Sequence, residues 1–237
     1  MDDKIYKKTF DLILKNTNEK EVIIRNIKKE VKLNDKTKFL DIGGGNGSLA
    51  IPISQMVGKT VVVEPNKHFV RELSGKKNIK YINKKWEDAD IGEKFNFILA
   101  AYVVTHFSSR KVEPLIVKML DNLEDGGKMI ILAVDERLGS WRGVHSYFYK
   151  RIGENKKSST VNLKSILKKH KAKKVNFETK VKARDMDEML EILTFDFGRY
   201  GNKFYDNADY IKKYLNKNRV SEYIELEMSH QMFIVSK

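Results

Sequence analysis

The sequence predicts an α/β fold built on a parallel sheet with helices on both faces. Three observations predict it. Short apolar runs alternate with helical stretches from about residue 38 to residue 134, the rhythm of right-handed strand–helix–strand crossovers. The runs are apolar almost without interruption, as suits strands buried on both sides. The first of them ends in a cluster of glycines at a strand-to-helix turn, Gly43-Gly44-Gly45-Asn46-Gly47.

Taken in order, residues 4–33 read as helix. Tyr6, Phe10, Leu12, Ile13, Val22, Ile23, Ile24, Ile27 and Val31 recur near helical spacing, and Asn16-Thr17-Asn18 breaks the stretch in two. Lys38 to Ile42 is a buried strand, Ser48 to Met56 a helix, and Thr60 to Glu64 a second strand carrying three successive valines. His68 to Leu73 reads as helix, Ile79 to Asn83 as a third strand and Phe95 to Val104 as a fourth. Val112 to Leu123 is a helix closed by Glu124-Asp125-Gly126-Gly127, and Lys128 to Val134 is a fifth strand. The rhythm then loosens through an aromatic-rich segment, residues 135–159. Val161 to His170 is amphipathic, Lys174 to Val181 is a candidate strand, and Asp185 to Leu215 carries two helical stretches. Glu222 to Met228 and Gln231 to Ser236 alternate like a hairpin, or like one strand and its approach.

Composition narrows the function classes. The chain has 237 residues, 41% of them hydrophobic, enough for a sizeable core and too many for a disordered chain. With no cysteine, disulfides, thiolate metal sites and a thiolate nucleophile are excluded. No apolar run approaches ~18 residues, so no membrane span is expected. The start, Met1-Asp2-Asp3-Lys4, opens with acids and lacks an apolar signal core, which makes a cytoplasmic protein the default. Lys and Arg number 46 against 32 Asp and Glu, a net charge of +14. The excess peaks between Lys150 and Lys182, with twelve basic residues and two acids. Such a run is either a solvated lysine face or a patch for RNA, acidic protein or anionic lipid.

The glycine cluster is the motif that carries chemistry. A dinucleotide fingerprint starting at Gly43 would need glycine where Ser48 stands. One starting at Gly44 fails at Asn46, and the Gly-Lys-Ser/Thr of a phosphate-binding Walker loop is absent. Asp41, Gly43, Gly45 and Gly47 complete the pattern D-x-G-x-G-x-G. In this the sequence resembles the class I S-adenosylmethionine-dependent methyltransferases. The resemblance implies a Rossmann-like, seven-stranded, mostly parallel sheet with one antiparallel strand near the end of the chain. It also implies S-adenosylmethionine as cofactor and S-adenosylhomocysteine as product. The bland alternative is a tight structural turn.

The resemblance extends to three further segments. Glu64-Pro65, after Val61-Val62-Val63, stands where the family places its ribose-binding acid. Charge-assisted hydrogen bonds of that kind are worth roughly 1.5–3 kcal/mol. After the third strand, Lys85 falls where an adenine-binding acid is usual, so Trp86 is expected to line the adenine slot and Glu87 or Asp88 to take the polar role. At the end of the fourth strand Ala101 faces the methionine part of the cofactor and Tyr102 the acceptor, with His106 near a common family histidine. Tyr102 and His106 are the catalytic candidates that this implies. Asp135, Glu136, His145, Tyr147 and Tyr149 are further polar candidates, the tyrosines with core or lid packing as their alternative. The Asn/Asp-Pro-Pro-Tyr/Phe signature of amino-group DNA methylation is absent, and the missing cysteine excludes cytosine-C5 methylation. A more distant likeness, in the three consecutive glycines, Val63-Glu64-Pro65 and Gly139-Ser140-Trp141, is to small-amine N-methyltransferases such as histamine N-methyltransferase.

The expectation is one domain over residues 1–237. Residues 1–37 form a helical extension and 38–134 the cofactor core, while insertions at 135–160 and 184–228 form the acceptor cap. Methyl transfer from a sulfonium needs neither metal nor covalent intermediate, only an aligned acceptor. A small-molecule acceptor is the leading expectation. An RNA or protein methyltransferase using the basic 150–182 patch, or a catalytically silent cofactor-binding subunit, are the alternatives. Nothing in the sequence indicates the oligomeric state.

Overall fold

The computed structural model describes residues 3–69, 73, 75–76, 78–135, 137–154 and 163–237. It is a mixed α/β, Rossmann-like structure with a sheet of strand order β3-β2-β1-β4-β5-β8-β6. The strands are β1 (Lys38–Ile42), β2 (Lys59–Val63), β3 (Ile79–Ile82), β4 (Phe95–Ala101), β5 (Leu123–Val134), β6 (Lys173–Ala183), β7 (Arg219–Val220) and β8 (Tyr223–Ser236). β1 to β5 pair in parallel. β8 runs antiparallel to β5, because Lys237 pairs with Gly126 and Gly127 while Asp135 pairs with Ser229. Among the described residues the sheet has eight strands rather than the expected seven. The addition is the two-residue β7, which turns back antiparallel onto the start of β8.

The chain divides into two compact units, each with its own core. The first comprises Met1–Val22, Asp135–Ser159 and Phe177–His230; the second comprises Ile23–Val134, Thr160–Asn176 and Gln231–Lys237.

The second unit holds the parallel strands. β1 is central to them, flanked by β2 and β4, and Leu40, Ile42, Val61, Val63, Ile98 and Ala100 pack into one cluster. Across the strand pair, Phe39 stacks on Phe97 with ring centroids 4.8 Å apart. Helices α3 (Ala50–Ser54) and α4 (Val112–Asp121) follow β1 and β4. α3 is shorter than the expected 48–56 stretch. Of the expected helix at 68–73, a 3-10 turn at Lys67–Phe69 is present, and residues 70–72 lie outside the described set. β5 begins five residues before the expected Lys128. Its register slips between the Phe95–Leu123 and Phe97–Lys128 pairs, with Gly126 at φ 76°. The Asp-Gly-Gly that reads as a helix stop is thus a bulge inside a strand. Helix α6 (Leu163–Lys169) completes this unit.

The first unit is mainly helical. α1 (Asp3–Lys15) belongs to it, as does only the first turn of α2 (Glu19–Glu30), and the two helices break where Asn16-Thr17-Asn18 predicts. Thr17 forms a β-bridge with Val181, and the Asn18 side chain accepts from the Lys180 amide at 2.8 Å. α5 (Ser140–Ile152) is a helix where only an aromatic-rich loosening was expected, and it ends on left-handed Gly153. The 185–215 stretch holds three helices rather than two, α7 (Met186–Phe197), α8 (Asn202–Tyr205) and α9 (Ala208–Leu215). Phe148, Phe197 and Phe204 are fully buried at the centre of this core.

Candidate active site

The glycine turn continues directly from β1. Ile42 is in register with Val63, and the next amide, Gly43, donates to the Val63 carbonyl at 2.7 Å. The turn thus stays tied to the end of β2. Gly43, Gly45 and Gly47 have φ of 71°, 54° and 79°, left-handed values that glycine adopts without strain. The three differ in their surroundings. A Cβ at Gly43 would lie 2.6 Å from Val103 Cγ2, and one at Gly47 would lie 2.4 Å from Leu73 Cδ2, so both are packed. A Cβ at Gly45 would meet nothing within 4 Å. Gly45 therefore presents bare backbone to open space, a surface that a ligand can approach closely.

Glu64 follows β2 and is almost buried. Its Oε2 accepts from the Gly45 amide at 3.1 Å and its Oε1 from the Asn66 amide at 2.8 Å. A carboxylate offers about four lone-pair sites, so two remain for ligand hydroxyls. The Glu64 carbonyl is braced by Tyr81 Oη at 2.8 Å and Asn83 Nδ2 at 3.0 Å, both from β3 and its end. These braces were not foreseen, although Tyr81 and Asn83 stand two apart at the end of the third strand, where their side chains share a face.

Asp41, inside β1, is buried, and burial foremost, with the nearby Glu64 charge second, pushes its carboxyl up to about 7. Near neutral pH it stands between its protonated and ionised forms. A Cβ on Gly44 would lie 2.9 Å from Asp41 Oδ2 and 2.5 Å from Val62 Cγ1, so this glycine is required for packing rather than for φ.

At the end of β4, Ala101 is half-buried and pairs with Leu132. Tyr102 follows at φ 59°, held by its amide, which donates to the Leu132 carbonyl at 3.0 Å, and by the Thr105 hydroxyl, which donates to the Tyr102 carbonyl at 3.0 Å. A bulky residue in this region is strained by about 1–3 kcal/mol, and such outliers gather at functional sites. Tyr102 is next to Val103, whose side chain packs over Gly43. His106 lies in a 3-10 turn, Val104–His106, with its side chain exposed.

After β3 comes a 3-10 turn, Trp86–Asp88. Trp86 is a core side chain: its indole N–H donates to the Leu115 carbonyl at 3.2 Å, and Lys118 Nζ lies 4.7 Å from its ring centroid. Lys118 also donates to the carbonyls of Trp86, Glu87 and Ala89. The indole thus packs on α4, while Glu87 is half-buried and Asp88 exposed, as are Asn83, Lys84 and Lys85 before them. Pro65 is exposed beside Glu64.

The later polar candidates belong to the first unit. Asp135 is buried and pairs with Arg137 through two 2.9 Å bonds. His145 Nε2 and the Trp141 indole N–H both meet Asp196 Oδ2, at 2.7 and 2.9 Å. Tyr149 is a core residue and Tyr147 stacks on Tyr210 at 4.1 Å. Glu136 lies outside the described residues. The basic run is divided. Lys180 and Lys182 pair with Glu225, Lys169 pairs with Glu113 and Lys173 with Glu30, and residues 155–162 lie outside the described set. Each residue of Gly139-Ser140-Trp141 has a packing role. A Cβ on Gly139 would lie 2.5 Å from the Glu227 carbonyl oxygen, Ser140 Oγ accepts from the Glu227 amide at 2.7 Å, and Trp141 binds Asp196.

A family model described as a methyltransferase domain matches residues 16–188. No curated protein matches the chain. Among solved structures, a candidate methyltransferase from an antibiotic biosynthesis pathway of Anabaena variabilis is 14% identical, with a TM-score of 0.64 over 89% of this chain and 96% of its own. A candidate methyltransferase from Bacillus halodurans is 13% identical, with a TM-score of 0.61 over the same shares. The N-methyltransferase NodS from Bradyrhizobium japonicum is 12% identical, with a TM-score of 0.51 over the whole of both chains. These likenesses are of fold.

Proposed function

The chain belongs to the methyltransferase-domain family and is an S-adenosylmethionine-dependent methyltransferase; from that premise we propose that it methylates nitrogen or oxygen of a small-molecule acceptor. The observation that carries the cofactor site is the pairing of open Gly45 with buried Glu64. The backbone leaves room for a nucleoside, and the carboxylate keeps two acceptor positions after binding the Gly45 and Asn66 amides. In this reading Glu64 takes the ribose hydroxyls and Asp41 supports the loop end. Glu87 or Asp88 takes the polar edge of the base, and Ala101 borders the methionine part. The bound cofactor supplies a sulfonium methyl group for in-line displacement.

What the chain itself contributes is alignment. Tyr102, strained at the end of β4, is the residue best placed in this reading to orient the acceptor, with His106 one turn further along. A neutral amine needs only such orientation and loses its proton to water afterwards; an oxygen acceptor needs a base. Small amines are accordingly the first acceptors to test.

The test is calorimetric titration with S-adenosylhomocysteine, wild type against Glu64→Ala, followed by labelled-methyl transfer to amines, phenols, carboxylates and RNA. Micromolar binding lost in the variant supports the site. No binding by folded wild type overturns it. Label entering only RNA or protein overturns the small-molecule reading, and binding without any transfer points to a silent subunit.

A further inference from the structure

An open groove of about 760 Å³ lies in the second unit, away from the glycine turn. Lys128, which lines it, pairs with Phe97, and Phe97 pairs with Phe39 near the start of β1. The glycine turn follows the other end of that strand. The groove therefore opens at the amino-terminal edge of the parallel strands, opposite the candidate cofactor site.

Its lining is basic in a specific way. Lys169 and Lys173 are ion-paired with Glu113 and Glu30 and add little net charge. Lys128 and Lys237 donate to backbone carbonyls, of Glu30 and of Leu120 and Leu123, and make no ion pair among the described residues. Lys171 is exposed and makes no ion pair or hydrogen bond through its side chain among the described residues. Against these three stands Asp121. His170, also in the lining, has a buried Nε2 without a hydrogen-bond partner among the described residues, the kind of group that calls for a solvent partner.

The backbone supplies an independent observation. The end of α6 is a Schellman turn: the Lys171 amide donates to the Lys168 carbonyl and the Ala172 amide to the Leu167 carbonyl. Lys171 occupies its left-handed position at φ 53°, where glycine is the ordinary residue. Attraction of cations to a helix carboxyl terminus accounts for Lys168 and Lys169, but not for a lysine kept in a strained position one step beyond. Local strain of this kind is evidence for function.

We propose that this groove binds the phosphodiester backbone of single-stranded nucleic acid, independently of base sequence and separately from the cofactor site. Its volume exceeds what one phosphate fills. No Phe, Tyr, Trp or Arg is among its described lining residues, so contact rests on phosphate charge rather than on base stacking, and lysines meet phosphates as point charges without the base-reading fork of arginine. Its concavity suits a strand rather than a flat membrane surface.

The test is fluorescence anisotropy with a ~12-nucleotide labelled oligouridylate, a length within the usual site size, titrated from ~50 to ~200 mM salt. Three lysines without an ion pair predict a log–log salt slope of at most about −2. Lys171→Gly should weaken binding about fivefold and flatten the slope by about 0.7, while raising the melting temperature. Lys36→Glu, on an exposed lysine outside the groove, controls for net charge and should leave binding within about twofold of wild type. The proposal is overturned by no binding at low salt, or by equal losses in Lys171→Gly and Lys36→Glu. It is also overturned if phosphatidylserine vesicles bind in place of the oligonucleotide with the same Lys171 sensitivity, or if tripolyphosphate displaces the strand at stoichiometric concentration.

Discussion

The Gly45 amide donates to Glu64 Oε2 at 3.1 Å, so one carboxylate both shapes the glycine turn and stands ready for a ligand. Removing it has two effects. Glu64→Ala should lower affinity for S-adenosylhomocysteine by roughly 1.5–3 kcal/mol, or about ten- to a hundredfold, as read by calorimetry. It should also lower the melting temperature, because the Gly45 and Asn66 amides lose their acceptor. Glu64→Gln, which retains an acceptor oxygen, should recover stability more than affinity.

Adjacent glycines should separate folding from binding. Gly45→Ala meets no neighbour but must hold φ 54°, at a cost of about 1–2 kcal/mol. It should fold and lose cofactor binding. Gly44→Ala drives a methyl group into Val62 and the Asp41 carboxyl, overpacking worth typically 1–3 kcal/mol. Its main effect should appear in thermal denaturation. Equal affinity loss in two equally stable variants would contradict this division.

Asp41 should make stability depend on pH. Its carboxyl is raised from 3.8 to about 7 in the folded chain, so between those values the native state holds a proton that the unfolded state has released. Stability is then highest below pH ~4 on this account and falls as pH rises toward ~7, by up to about 1.4 kcal/mol per pH unit. Asp41→Asn mimics the protonated form. Its melting temperature should decline less between pH ~5 and ~7 than that of wild type; parallel curves would show that Asp41 is not the source.

Trp86 distinguishes the observed packing from the adenine-slot expectation. Trp86→Phe removes the hydrogen bond to Leu115 and weakens the Lys118 contact, together about 1–2 kcal/mol of stability. Affinity for S-adenosylhomocysteine should stay unchanged. A loss of affinity at unchanged stability would restore the indole to the slot.

Lys171→Gly relieves a left-handed residue and should stabilise the chain by about 1 kcal/mol, measurable by urea denaturation. A destabilised variant would mean that the lysine stem packs more than its exposure suggests.

The strands carrying the candidate site were legible because they are buried on both faces: the valines of β2 are an unbroken apolar run, and Lys38–Ile42 and Phe95–Ala101 are apolar but for Lys38, Asp41 and Asn96. The break at Asn16-Thr17-Asn18 was legible from its residue types. The early start of β5 was not, since Asp-Gly-Gly punctuates a helix and a bulge alike, and only pairing with β4 decides between them. α5 left a readable trace that went unused. Trp141, Val144, His145, Phe148 and Tyr149 are its buried residues, and they fall at helical spacing. The loop pattern and Glu64 could be placed from spacing, whereas the turn of Trp86 into α4 depends on Leu115 and Lys118, about thirty residues away. The strain at Tyr102 and Lys171 leaves no mark in residue type, because a non-glycine there looks ordinary until the backbone is seen.

β8 lies between β5 and β6 in the sheet, yet β6 precedes it in the chain by about forty residues. As the polypeptide leaves the ribosome, β6 has only the short bridge at Thr17 to pair with until residues 223–236 have been made. Assembly of this edge must therefore wait for a late, long-range pairing, which is the slow kind. Until then the β5 edge stays unpaired and open to other chains, and aggregation during synthesis should respond to mutations in β8 more sharply than the finished protein's stability does.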